Sequence, residues 1–524
     1  MAILRYTASA DNTITNAFES NLVTRGTGSN MGFADSLEIF SIYGQESGSN
    51  GQSQELSRAI IQFPVDQIKR DRTAGTVPAS GSVAFYLRMF NAEHPFTLPQ
   101  NFTLVVAAVS QSWTEGTGLD MDNYQDIGKS NWMSASTANK WTAVGGDYHT
   151  ASVLNTDVQF PVGIEDLETD VSYYVEEWIK YLDASQADGV TKNHGFGVRL
   201  TSSQEAYFSS SVGAGLPVDA PGRTSGSVIQ NTVGAMQSYY TKKFFARSTE
   251  FFFKRPVIEA RWDSRVQDDR ENFLYSSSLA PAADNLNNLH LYNYIRGRLV
   301  NIPSVGTDDL LVSFYSSSNG EPTGSKLALP LGGGTVAAGH FNTTASYVST
   351  GIYSCSVALT AAATPLMAVH DVWHSGGVEF ITGSFYPELM PTYDYAPTFN
   401  RITSCTNLKK VYSHQDTARF RFFVRDRNWS PTVYVVSTAN NPTDIIHSAS
   451  YSIQRVTDNY LAVAYGTGSN YSTYLSYDKD GNYFDFDMGL LESGYMYEIK
   501  LSFYNDSIGA WQEQPQTFKF RVEE

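Results

Sequence analysis

The chain has 524 residues, of which 42% are hydrophobic, 13% aromatic and only 17% charged, and its formal net charge is −17. So many aromatics with so little charge exclude bulk disorder, and no apolar run approaches the roughly 18 residues of a membrane-spanning helix. The negative balance argues against nucleic acid as a partner, and at a soft prior of about 150 residues per domain the length predicts two to four domains.

Taken in chain order, the start MAILRYTASADNT holds one early Arg and no apolar stretch. It does not read as a signal peptide and predicts a protein that folds in the compartment where it is made. Strand-like runs follow: SLEIFSI, AIIQFPV, VAFYLRMF and FTLVVAAVS, several of them alternating apolar and polar residues with the period of a half-buried strand. The one clear helical text is ETDVSYYVEEWIKYLDA. There Val171, Tyr174, Val175, Trp178, Ile179 and Leu182 recur at three- and four-residue steps, with Asp170 placed to cap the N-terminus. Strand text then resumes as FGVRL, LLVSFYS, YSCSVAL, VEFITGSFY, ARFRFFV, PTVYVV, YLAVAYG and YEIKLSFY.

Two texture changes read as linkers. One is the charge-dense DSRVQDDRENF from 263, and the other is YPELMPTYDYAPTF, with Pro387, Pro391 and Pro397. They divide the chain into residues 1–262, 263–390 and 391–524, and the last two pieces have the size of immunoglobulin-like sandwiches.

Sugar recognition needs exposed aromatic faces beside polar groups, and Trp113, Trp132, Trp141 and Tyr148 are the candidates. The competing reading makes them core aromatics. Asp120, Asp122 and Asp126 in one loop offer oxygen ligands for a structural calcium, the only cofactor the sequence suggests. His370 and His374 share a face but lack the Glu of a zinc peptidase helix, so they read as a structural pair. Asp478, Asp480 and Gly481 sit between alternating strands and read as a hairpin turn rather than a calcium loop. Cys355 and Cys405 read as two free thiols, and five glycosylation triplets carry no weight without a secretion signal. The chain contains no nucleophile elbow, phosphate loop or dinucleotide fingerprint, so it is not expected to be an enzyme.

Seven short signatures follow in series: ADNTIT (10–15), SRAIIQFPV (57–65), SWTEGTG (112–118), Trp132 and Trp141 with GGDY (145–148), VSYYVEEW (171–178), NHGFGVRL (193–200) and KRPVIEARW (254–262). In this order they resemble DNRLRE-type domains, which are similar to carbohydrate-binding-module jelly rolls and occur in cell-surface, secreted and phage virion proteins. The insertion between 210 and 242 departs from that pattern and puts an inherited ligand site in doubt. NLKKVYSHQDTARFRFFVRDRNWSP (407–431) and LSYDKDGNYFDFDMGLLESGYMYEIKLSFY (475–504) are similar in texture to proteins of marine tailed bacteriophages.

These resemblances imply an all-β chain: an N-terminal jelly-roll sandwich with one amphipathic helix, then two immunoglobulin-like sandwiches. They further imply a structural virion protein at the neck, tail or head surface, assembled in the host cytoplasm. Its partners would be other virion proteins and copies of itself in a symmetric assembly. The alternative is a glycan-binding adhesion module for a host glycan, and behind it a polysaccharide-degrading enzyme, whose paired acids only the fold would reveal.

Overall fold

The computed structural model describes residues 2–524 except 22–23, 45–53, 96–97, 122–128, 185–190, 210–226, 277–280, 318–320, 332–334, 337–338, 361–365, 390–400, 434–442 and 467–469. The chain is all-β with two α-helices among the described residues, and it divides into two compact units, Ala2–Asp263 and Ser264–Glu524. Neither helix is long and apolar enough to cross a membrane.

In the first unit a four-stranded sheet runs in the order Ile3–Thr7, Val257–Trp262, Val83–Met89, Leu167–Asp170, with every pair antiparallel. The second sheet runs Tyr239–Phe245, Ser36–Tyr43, Gln54–Gln62, Phe196–Leu200, Phe102–Ala108, Asn155–Phe160, and Ala10–Thr15 also pairs with Gln54–Gln62. Strand Gln54–Gln62 is buried along nearly its whole length. Side chains alternate across a strand, so Ala59 and Ile61 enter the main core while Leu56 and Ile60 enter a second apolar cluster with Trp132 and Trp141.

The helix read from sequence is Ser172–Ala184. Val171, Tyr174, Val175, Trp178 and Ile179 are buried in the main core, and the Asp170 carboxylate accepts from the Ser172 N–H at 2.8 Å. A second helix, Val65–Thr73, was not legible, because only Val65 and Ile68 are buried. It is tied to the first helix by polar contacts, with Arg72 forking onto Glu176 at 2.6 and 2.8 Å and Lys69 Nζ donating to the Leu182 carbonyl. Such contacts leave no apolar period to detect.

In the second unit six strands form one folded sheet: Asn287–Tyr292, Ile352–Val357, Asn342–Ser349, Leu310–Ser317, Ala368–Ser375, Val378–Phe385. Strand Asn342–Ser349 changes partner midway. Its first half pairs with Leu310–Ser317 and its second half, through a register shift, with Ile352–Val357. A strand that switches sheets is how two layers wrap one core, here built on Phe273, Phe314, Tyr353, Trp373 and Phe385.

The C-terminal strands form a four-stranded sheet, Arg401–Cys405, Thr417–Asp426, Gly481–Asp487, Ser476–Asp478. They also form a larger sheet in the order Val411–Ser413, Phe518–Glu523, Met496–Asn505, Ala449–Arg455, Leu461–Val463, with Ala510–Glu513 also paired to Met496–Asn505. The Asp478–Gly481 segment is a hairpin, as read from sequence. Its turn centres on Lys479 and Asp480 rather than on Asp480–Gly481; Gly481 follows at φ 108°, where a Cβ would lie 2.7 Å from the Phe422 carbonyl oxygen.

Candidate functional site

The four aromatic candidates of the first unit do come together, but inward. Trp132 and Trp141 are buried, while Trp113 and Tyr148 pack on the same cluster part-buried. Each polar edge is spent on a backbone carbonyl: Trp132 on Ser227, Trp141 on Asn131 and Trp113 on His194, all at 2.8 Å, and Tyr148 on Gly145 at 2.9 Å. Trp132 and Trp141 are thus core aromatics with no open face for a sugar, while Trp113 and Tyr148 keep part of their rings exposed.

At the centre of this cluster lies Arg58, which sequence reasoning passed over as part of a strand. Its guanidinium lies 5.5 Å from the Trp132 ring centre and 5.8 Å from that of Tyr148. It forks onto buried Glu205 with two 2.8 Å bonds and donates to the Gly145 carbonyl. Burial pulls the Arg58 pKa down, but Glu205 more than compensates and raises it, so the guanidinium stays charged inside the fold. The signal was an Arg amid the apolar run of SRAIIQFPV.

The ADNTIT and SWTEGTG signatures form a second polar lock. The Asn12 side chain donates to Ser130 and accepts from the Met31 N–H, while Asn30 Oδ1 accepts from Gly32 and Gly118. Glu115 accepts from the Asp11 N–H at 2.7 Å and forks with Arg247 at 2.9 and 3.1 Å. Gly116 and Gly118 lie against Asn30, where a Cβ would overlap its side chain or its carbonyl.

Of the calcium candidates, Asp120 is exposed, and Asp122 and Asp126 lie outside the described residues. Among the described residues no three His, Cys, Asp or Glu are grouped to hold a metal ion. His370 is buried and its Nε2 has no hydrogen-bond partner, whereas His374 Nε2 lies 2.7 Å from Ser313 Oγ. Cys355 and Cys405 are both free, Cys355 buried and Cys405 part-buried.

The segment read as a charged linker, at whose start the two compact units divide, also forms a dense polar site of the second unit. The Val266 N–H donates to Ser476 Oγ, the Asp268 N–H to the Tyr477 carbonyl at 3.1 Å, and the Tyr477 N–H to the Val266 carbonyl at 3.0 Å. Asp269 accepts from the Asn288 N–H and from the Tyr477 hydroxyl. Arg270 reaches Asp371 Oδ2 at 2.6 Å, and Trp373 Nε1 donates to that same oxygen at 2.6 Å. Burial pushes the Asp268 carboxyl up to about 7 against the pull of Arg270, and it raises that of Asp371 as well. The charges were visible, but their partners at 371 and 477 lie too far along the chain for texture to reveal.

No protein-family model and no curated protein matches the chain. Among solved structures it is similar to trypsin-activated alpha-2-macroglobulin from Escherichia coli at 10% identity, over 89% of this chain and 24% of that one, with a TM-score of 0.15. A Salmonella alpha-2-macroglobulin reacted with methylamine gives 9% identity over 99% and 34%, with a TM-score of 0.14. The chain therefore spans about a quarter to a third of the length of these two proteins.

Proposed function

We propose that the chain is a non-enzymatic structural component of a tailed-bacteriophage virion, a jelly roll followed by two immunoglobulin-like sandwiches that acts through protein–protein contacts at the neck, tail or head surface. The observation that carries this reading is where the chain spends its aromatic and ionic groups. Trp113, Trp132, Trp141, Tyr148, Arg58 and Glu205 lock the interior of the first unit, and the 264–271 segment locks the second. Chains built this way resist deformation and present contact area, which is what a symmetric particle requires of a surface component. The signatures of residues 1–262 and the texture of 407–504 support the phage origin, and net charge far from zero keeps free copies apart before assembly.

Immunogold electron microscopy of purified tailed-phage particles that encode the chain tests this, with antibody raised against the whole protein. Gold confined to one structure of the particle is the expected result. Unlabelled intact particles, from infected cells in which the antibody detects the chain, overturn the reading.

A further inference from the structure

A strand at the edge of a sheet presents a row of unpaired backbone N–H and C=O groups, and natural chains shorten, charge or cover such edges. Strand Val378–Phe385 ends the six-stranded sheet of the second unit. On one side it pairs antiparallel with Ala368–Ser375. On the other side, among the described residues, no segment pairs with Val378–Ser384 and its backbone makes no further hydrogen bond. The opening is bounded, because past Phe385 the edge is closed. There the Glu388 N–H donates to the Phe273 carbonyl at 2.8 Å, and the Tyr275 N–H donates to the Glu388 carbonyl at 2.9 Å.

The usual guards of an edge are missing from its text, VEFITGSF, which holds no Pro and no Lys. Its one charge is Glu379, whose carboxylate accepts from the Thr382 hydroxyl. Both faces are open along most of the strand, and Val378 is 58% exposed. Ile381 stands opposite Trp373, which is fully buried in the core of this sandwich. Directly opposed residues share a face, so Ile381 lies on the core side, yet it is 37% exposed. The apolar core is therefore uncovered at its rim, beside the unpaired backbone.

The two ends of the open edge differ in charge. Glu379 stands near the first end. At the other, Thr382, Gly383 and Ser384 line a depression together with Arg270, Glu321, His370 and Lys479. Arg270 is taken by Asp371, whereas Lys479 is exposed and makes no ion pair among the described residues. An antiparallel partner of the same sequence fits this polarity. With a two-fold axis at Ile381, the two Ile381 side chains face each other. Each Glu379 then stands opposite the other copy's Gly383, at the end where Lys479 lies, and no like charges are opposed within the pair.

We propose that Val378–Ser384 pairs antiparallel with the same strand of a second copy of this chain, across a two-fold axis at Ile381, so that one sheet runs through both copies and each covers the open core rim of the other. The inference rests on the fold of the second unit and not on the virion reading.

Sedimentation velocity of the full chain between about 1 and 100 µM, the range suited to a small edge-to-edge interface, tests it. A concentration-dependent dimer is expected. Ile381→Lys should weaken it by about tenfold or more without lowering the melting temperature, since a lysine on an edge opposes strand addition. Glu379→Lys should weaken it as well, and Lys479→Glu in the same chain should restore it. Should Ile381→Lys prove unstable, the charge exchange decides alone. A chain that stays monomeric throughout the range overturns the proposal, even if another protein adds to this edge. So does a dimer that survives a well-folded Ile381→Lys, or one whose loss in Glu379→Lys is not repaired by Lys479→Glu.

Discussion

Arg270 holds its guanidinium 2.6 Å from the fully buried carboxylate of Asp371, a residue 101 positions further along the chain. Asp268 lies on the other side of the same guanidinium, its nearest oxygen 3.9 Å from Nε. Two buried carboxylates thus share one cation, and the surplus negative charge has a thermodynamic consequence.

The Asp268 carboxyl is raised to about 7 in the fold, above its ordinary 3.8. Its stabilising contribution is therefore complete below about pH 3.8 and is lost as pH rises through 7, because the unfolded chain releases that proton more readily. Asp268→Asn should flatten the decline in stability between about pH 4 and pH 7 by up to about 1.4 kcal/mol per pH unit. Urea unfolding of both proteins across that range checks it, and parallel pH profiles would refute the assignment.

Glu259 presents the opposite case. Burial alone would raise its pKa, but Arg5, Arg88 and Arg261 together hold it well below the usual carboxylate range. Arg5 lies 2.8 Å away and Arg88 3.4 Å, and Arg261 pairs with the other oxygen. The resulting stability is full above about pH 4.5 and is lost as pH falls below it. Glu259→Gln leaves three arginines around a neutral amide and should cost about 3–5 kcal/mol at pH 7, read from denaturant midpoints.

Lys242 is buried with its ammonium 4.8 Å from the Phe244 ring centre and 5.1 Å from that of Phe160. It donates to Asn91 Oδ1 and to the carbonyls of Gly163 and Glu165 at 2.6, 3.0 and 2.8 Å. Burial pushes its pKa down to about 8, against the attraction of Asp166 and Glu165. Because the folded value lies below the unfolded one, stability should climb as pH rises from 8 to 10.5. Lys242→Met should abolish that climb and, by orphaning three acceptors, cost about 2–4 kcal/mol at pH 7. Calorimetry at pH 7, 9 and 10 separates the two effects.

Gly118 meets the backbone of Asn30 where a Cβ would stand, and Gly116 meets the Asn30 amide. Gly118→Ala should cost about 3 kcal/mol, since a backbone wall cannot rotate aside as a side chain can. A melting temperature within 1 °C of the parent would show that the 112–118 loop yields instead.

What the sequence made legible follows from how far each signal reaches. Strands such as Thr417–Asp426, whose burial alternates residue by residue, announce themselves within a few positions. Helix Ser172–Ala184 does so through its apolar stripe, whereas helix Val65–Thr73, with two buried residues and an Arg72–Glu176 fork, does not. Trp132 and Trp141 could be picked out as a cluster but not oriented, because burial is decided by strand Gln54–Gln62 and the Ser227 carbonyl. Arg58 and Asp371 depend on pairings that no local pattern carries.

The 264–271 segment also constrains the order in which the chain can finish folding. Val266 waits for Ser476, 210 residues later, and Asp269 waits for Tyr477. During synthesis the earlier strands of this unit emerge with Val266, Asp268 and Asp269 still short of these partners, and closure of so long a loop comes late. A ribosome that stalls near residue 390 therefore releases a second unit whose opening segment is unlatched. The emergence of Ser476 and Tyr477 is the event that seals it.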